Sequence, residues 1–132
     1  MRNRTNPAIS EAESQVMEML WKREPQGSDD LAVALRHGTG WHENTVRTLL
    51  NRLVRKGAVR AEREGRRYLY SPVLTREQWQ SHESRSLLDR VFGGKVAPLL
   101  VHFSRNEKLS AKDVAELRKL VDQLDKKEPR HG

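Results

Sequence analysis

A mainly α-helical chain with one small β-hairpin is what this sequence predicts, and three observations lead there. Apolar residues recur at i, i+3, i+4 and i+7 in successive stretches, which is the helical period. Strand-like runs occur at residues 59–63 and 67–71, joined by Glu64-Gly65-Arg66 as a tight turn. Glycine and proline punctuate the intervals, at Pro25, Gly27, Gly57, Pro72 and Gly93-Gly94.

Ser10-x-x-Glu13 is a capping box, in which side chain and backbone satisfy each other's unpaired donors at a helix start. Ala12, Val16, Met17, Leu20 and Trp21 then form one apolar face, through to about residue 23. Ser28 is expected to cap a second, shorter helix, with Asp29 and Asp30 against its N-terminal dipole, and Gly38 and Gly40 to end it. A third helix is expected over residues 43–56, burying Val46, Leu49, Leu50, Leu53 and Val54, with Gly57 as its C′ residue. Three helices followed by a hairpin describe a winged helix-turn-helix head over residues 9–74.

Beyond Pro72 the character changes. Thr75-x-x-Gln78 is a second capping box, opening a helix to about residue 92. A short apolar segment follows at residues 96–103, and Ser110 with Asp113 starts a last helix, with Leu109 and Val114 as its hydrophobic staple. Leu87, Leu88, Val91, Phe92, Val96, Leu99, Leu100, Phe103, Leu117, Leu120, Val121 and Leu124 are too many apolar residues for a small exposed appendage. Residues 75–125 are therefore expected to form an α-helical dimerisation arm, buried against a second copy about a two-fold axis. Residues 1–8 and 126–132 are polar and expected to be disordered.

The charge is uneven. Residues 41–75 hold 8 Lys+Arg against 3 Asp+Glu, whereas residues 1–40 hold 5 against 6, so the cationic excess sits on the third helix and hairpin. That placement suits a polyanion. The chain has no cysteine, which excludes disulfides and thiolate metal sites. Its five histidines show no metal-ligand spacing, so no cofactor is expected. No apolar run approaches the roughly 20 residues of a membrane span, and the N-terminus lacks a signal-peptide core, so a cytoplasmic location is expected. Neither a hydrolase triad, a P-loop nor an HExxH motif is present, which argues against an enzyme.

Trp41-x-x-x-Thr45-Val46-x-Thr48-Leu49-Leu50-x-Arg52-Leu53, followed by Lys56-Gly57 and Tyr68-x-Tyr70, closely resembles the penicillinase-repressor (BlaI/MecI/CopY) family. Ile9-Ser10-x-Ala12-Glu13 with Val16-Met17 and Leu20-Trp21 resembles that family's first helix, and Val91-Phe92-Gly93-Gly94 with Leu109-Ser110 its arm. The resemblance implies a homodimeric repressor of palindromic operators, commonly upstream of β-lactam-resistance or metal-response genes. It also implies induction, in antibiotic-responsive members, by cleavage inside the arm triggered by a membrane sensor metalloprotease. The copper-responsive branch uses Cys-x-Cys pairs, which a chain without cysteine cannot supply. The family's Asn–Phe cleavage bond is matched here by His102-Phe103, the candidate cleavage bond of this chain.

The expected DNA-facing side of the third helix carries Asn44, Thr45, Arg47, Thr48, Asn51 and Arg52. Arg and Asn pair bidentately with guanine and adenine edges, and Thr meets a thymine methyl or a phosphate. Which of them read bases is open from the sequence. Asn44 stands where the family often has Lys or Ser, and Glu43 reads as a dipole partner only. Arg63, Arg66 and Arg67 at the hairpin are candidate phosphate or minor-groove contacts. Trp21 and Trp41 are expected to anchor the core, while Trp79 fits either an intramolecular contact or a dimer. Two alternatives stay open: a winged helix used for protein–protein contact, and a ligand-responsive winged-helix regulator.

Overall fold

The computed structural model describes residues 7–106 and 108–127. The order is α1 (Glu11–Lys22), α2 (Ser28–Thr39), α3 (Glu43–Lys56), β1 (Val59–Glu64), β2 (Arg67–Pro72), α4 (Arg76–Val91), α5 (Val96–Asn106) and α6 (Ala111–Lys127). Two compact units result, residues 1–84 and residues 85–132.

Local chemistry sets the ends of these elements. At α1 the Ser10 hydroxyl accepts from the Glu13 N–H at 3.1 Å, and the Glu13 carboxylate accepts from the Ser10 N–H at 2.7 Å. Thr75 and Gln78 make the same reciprocal pair at α4, at 3.0 and 2.9 Å. Ser110 caps α6 through the Asp113 N–H at 3.0 Å. Gly57 closes α3 with φ +83°, a left-handed conformation that costs glycine little, and its N–H bonds back to the α3 carbonyls.

Several expectations at α2 and α3 are corrected. Gly27, not Ser28, is the N-cap of α2, and Ser28 is its first helical residue. Gly38 lies inside the helix, Gly40 alone ends it at φ +72°, and α2 equals α1 at 12 residues. Val54 is 37% exposed rather than part of the α3 stripe, because the helix turns it past the edge of the core.

The core of the first unit is built from Val16, Met17 and Leu20 of α1, Leu31 and Leu35 of α2, and Val46, Leu49, Leu50 and Leu53 of α3. Ala58, Val59, Tyr70 and Leu74 close it from the hairpin side. Each such side chain fully removed from water contributes about 1.5–3 kcal/mol. The hairpin is antiparallel, with Ala61 opposite Tyr70 and Glu64 opposite Arg67. Gln26 exchanges two backbone hydrogen bonds with Tyr70, at 3.1 and 2.8 Å, fastening the α1–α2 connection to β2. Trp79 packs on this core, its ring centroid 5.5 Å from that of Trp21, so the contact is intramolecular. The Trp21 indole N–H donates to the Leu74 carbonyl at 2.9 Å. Trp41 is half-buried against the same core.

One charge is buried in it. Glu13 is 1% exposed and meets the Lys56 ammonium at 2.6 Å, which also donates to the Ala8 carbonyl at 3.0 Å. Burial pushes the Glu13 carboxyl upward, but Lys56 and the Ser10 N–H together outweigh it and hold the group below the usual glutamate range. Of the segments expected to be disordered, residues 1–6 and 128–132 lie outside the described residues, while residues 126 and 127 belong to α6.

In the second unit Gly93 and Gly94, at φ +59° and +80°, turn the chain after α4, and the Gly94 N–H bonds the Leu88 carbonyl at 2.7 Å. The apolar segment at residues 96–103 lies within helix α5.

Candidate nucleic-acid interface

The residues of α3 sort themselves by face. Val46, Leu49, Leu50 and Leu53 are buried, whereas Asn44, Thr45, Arg47, Thr48, Asn51 and Arg52 are all exposed along the opposite side. The core thus aims the polar face outward by fixing the apolar one. Beside the N-terminal half of α3, a pocket of about 460 Å³ is lined by Ser28 and Asp29 of α2, Glu43 and Arg47 of α3, and Arg66, Arg67, Tyr68 and Tyr70 of the hairpin. Helix α3 and the hairpin therefore share one concave surface.

The cations on this surface differ in their attachments. Arg47 donates to Glu43 at 2.8 Å and to Asn44 Oδ1 at 3.1 Å. Arg67 donates to Asp29 at 3.2 Å and to Asp30 at 2.9 Å, which ties the hairpin to the start of α2. A Cβ at Gly27 would meet the Arg67 guanidinium and Asp29 Oδ1, side-chain ends that would have to shift to admit it. The Gly27 N–H and the Arg67 guanidinium hold the Asp30 carboxyl below its ordinary range. Arg63 folds back on the Gly65 carbonyl at 3.2 Å and lies 5.7 Å from the Tyr68 ring centroid, within cation–π range. Arg52 and Arg66 make no hydrogen bond or ion pair among the described residues. The Thr48 hydroxyl bonds the Asn44 carbonyl at 3.0 Å, which leaves its methyl free to face outward. Burial raises the Tyr70 hydroxyl's pKa, against the opposing charge of Arg47.

All nine residues singled out from the sequence lie on exposed surface of α3 or the hairpin. Ser28, Glu43, Asp29 and Asp30 were not among them, although Glu43 holds Arg47, Asp29 and Asp30 hold Arg67, and the Ser28 hydroxyl donates to Glu43. The acidic pair did carry a signal, as helix-dipole partners, but its link to Arg67 spans 37 and 38 residues.

In the second unit the apolar residues stand open. Among the described residues Leu88 is buried, Phe92, Leu99 and Leu117 are half-buried, and Leu87, Val91, Val96, Leu100, Phe103, Leu120, Val121 and Leu124 are exposed. An apolar groove of about 550 Å³ runs along Phe92, Ala97, Pro98, Val101 and His102. His102 lies between Phe92 and Phe103, with ring centroids at 6.3 and 6.2 Å. The His102-Phe103 bond sits inside α5, and the Asn106 amide donates to the His102 carbonyl at 3.0 Å. No described helix is long and apolar enough to cross a membrane.

A family model, the penicillinase repressor, matches residues 9–123. The chain belongs to that family. It is 30% identical over 117 residues to the penicillinase repressor of Bacillus licheniformis, covering 89% of this chain and 91% of the relative. To the methicillin resistance regulatory protein MecI of Staphylococcus aureus (strain N315) it is 25% identical, covering 86% of this chain and 93% of the relative. The solved DNA-binding domain of the repressor BlaI aligns with 59% of this chain and 93% of its own, at 32% identity and a TM-score of 0.51. The winged-helix architecture expected from the sequence is therefore the architecture of this family's head.

Proposed function

We propose that this chain is a cytoplasmic, homodimeric transcriptional repressor that occupies a palindromic operator. The observation that carries this reading is the division of α3, apolar stripe inward and Asn44, Thr45, Arg47, Thr48, Asn51 and Arg52 outward, beside a basic hairpin. A helix about 10–12 Å across enters the major groove of roughly 12 Å, and a two-residue hairpin tip reaches the flanking backbone. Arg52 and Arg66, whose side chains have no partner among the described residues, neutralise phosphates in this reading, while Arg47 faces bases. Arg67 serves the interface indirectly, as the strut between hairpin and α2.

The open apolar faces of α5 and α6 support dimerisation, since contiguous exposed patches of this kind are covered in solution. Two heads on one two-fold axis require two half-sites, about one or more helical turns apart. Release by proteolysis at His102-Phe103, through a membrane sensor metalloprotease, is the inducing route the family suggests. It requires a turn of α5 to unwind first, because that bond lies within a hydrogen-bonded helix.

Footprinting on the chain's own upstream region at physiological salt tests the reading. A protected palindrome with two half-sites is expected, together with affinity that falls by about 0.9 log units per log unit of salt for each phosphate neutralised. Diffuse coating without a protected site would overturn it in favour of a protein-binding role for the basic face.

A further inference from the structure

We propose that Glu43 is a positioning residue for base recognition, holding the Arg47 guanidinium in the pose in which it meets the operator. The inference rests on α3 being the reading helix. Glu43 Oε2 accepts two hydrogen bonds at once, from the Ser28 hydroxyl at 3.0 Å and from Arg47 Nη2 at 2.8 Å. Ser28, the first residue of α2, thereby anchors a carboxylate on α3. That carboxylate in turn fixes one edge of the guanidinium, while Asn44 Oδ1 takes Nη1 at 3.1 Å. Ser28, Glu43, Arg47 and Asn44 form one connected chain of bonds, and the first three line the pocket.

The arrangement contributes little to holding the fold. Arg47 and Glu43 have side chains 48% and 42% exposed, and an exposed pair four residues apart on a helix is among the weakest stabilising contacts. Its effect on recognition is larger. An unrestrained arginine loses much rotamer freedom on docking. Here that freedom is already restricted, and three of the five guanidinium N–H groups remain unused, enough for a two-pronged contact with guanine.

Charge supports the same assignment. A carboxylate on a face meant to meet DNA repels phosphate, so Glu43 lowers affinity for any duplex irrespective of sequence. It also cancels the charge of Arg47, so Arg47 adds little net cation to the surface. Such a pair is poor at gripping backbone and suited to discriminating bases. Arg52 and Arg66, with no side-chain partner among the described residues, keep their full charge for the phosphates.

The experiment compares wild type, Glu43→Ala, Glu43→Gln, Ser28→Ala, Arg47→Ala and the Glu43→Ala/Arg47→Ala double variant as full chains. Wild-type protein first enriches duplexes from a randomised pool. Each variant is then titrated against the enriched duplex, against versions with each G·C pair replaced in turn, and against a random duplex of equal length. Thermal melting confirms that every variant is folded.

Both Glu43 variants lose the same negative charge, so both are expected to bind the random duplex about two- to threefold more tightly at low salt. Glu43→Ala is expected to lose about five- to tenfold in discrimination at one base pair, a share of what a bidentate contact supplies. Glu43→Gln keeps an acceptor oxygen for Ser28 and Arg47 and is expected to retain most of it. Ser28→Ala should lose a smaller share with no change in salt dependence. In the Arg47→Ala background, Glu43→Ala should change discrimination no further, since its effect runs through Arg47. If Glu43→Ala leaves discrimination unchanged, or acts equally with Arg47 absent, the positioning role is overturned while the reading helix stands. If wild-type protein enriches no sequence, the reading helix and this inference fall together.

Discussion

In the first unit Val16, Leu20, Leu50 and Leu53 are wholly buried, whereas in the second Val91, Val121 and Leu124 are 56%, 58% and 53% exposed. Both sets come from helices with the same apolar period. What differs is the number of surfaces available to close over them. In the head, three helices and a hairpin converge, so every apolar stripe finds another. In the second unit Leu88 is buried, while the other apolar residues of α4, α5 and α6 named above are half-buried or exposed. Periodicity announces that a face is apolar, but whether this chain covers it alone depends on the layers around it.

A matched pair of truncations separates the two units most strongly. Leu50→Ala should lower head stability by about 3 kcal/mol, because it leaves a cavity in a closed core. Leu124→Ala should leave the dilute chain within about 0.5 kcal/mol of wild type, as for other exposed positions, yet weaken self-association. Denaturant unfolding at two protein concentrations, with sedimentation, checks both. A concentration-independent loss from Leu124→Ala as large as that from Leu50→Ala would mean that the second unit closes its own core.

The next effect concerns the Glu13 charge buried inside the closed unit. Lys56→Met strands the Glu13 carboxylate without its cation and should cost about 2 kcal/mol. No position in the second unit offers an equivalent, since its described acidic residues are exposed. Urea unfolding of the variant measures this directly.

Acid should act on the same unit. Glu13 and Asp30 both have folded pKa values below the ordinary range, so their contribution is complete above the unfolded values and is lost as pH falls through the folded ones. The urea midpoint of the head should therefore drop below about pH 4, and Lys56→Met should flatten that drop. An unchanged midpoint down to pH 2 would remove both carboxylates from the account.

The smallest expected effect is at the strut. Arg67→Ala breaks two exposed ion pairs and should change global stability by no more than about 0.5 kcal/mol. It should nevertheless speed amide exchange in the hairpin, residues 59–72, relative to α3. Equal exchange in variant and wild type would show that the hairpin is held by its core residues alone.

Much of this molecule was legible beforehand. The capping boxes at Ser10 and Thr75, the left-handed Gly57 and the turn at Gly65 act over a few residues, and each sits where the sequence places it. The winged head was readable because the order of helices and hairpin is itself a linear pattern. Val54 misled, since a strict helical stripe includes it while the finite width of the core does not. Ser28 misled too: serine suits an N-cap, but here its hydroxyl goes to Glu43 and Gly27 takes the cap, close beside the Arg67 guanidinium.

Residue order by itself determined the helices and their stops, the hairpin, and the concentration of positive charge on α3 and β1–β2, because propensity, capping and turn chemistry are short-range. Only the tertiary structure decided which of those charges are free. Lys56 is taken up by Glu13, 43 residues away, and Arg67 by Asp29 and Asp30, while the Arg52 and Arg66 side chains have no partner among the described residues. Ion pairing falls off over a few ångströms through space, a distance that spacing along the chain does not encode.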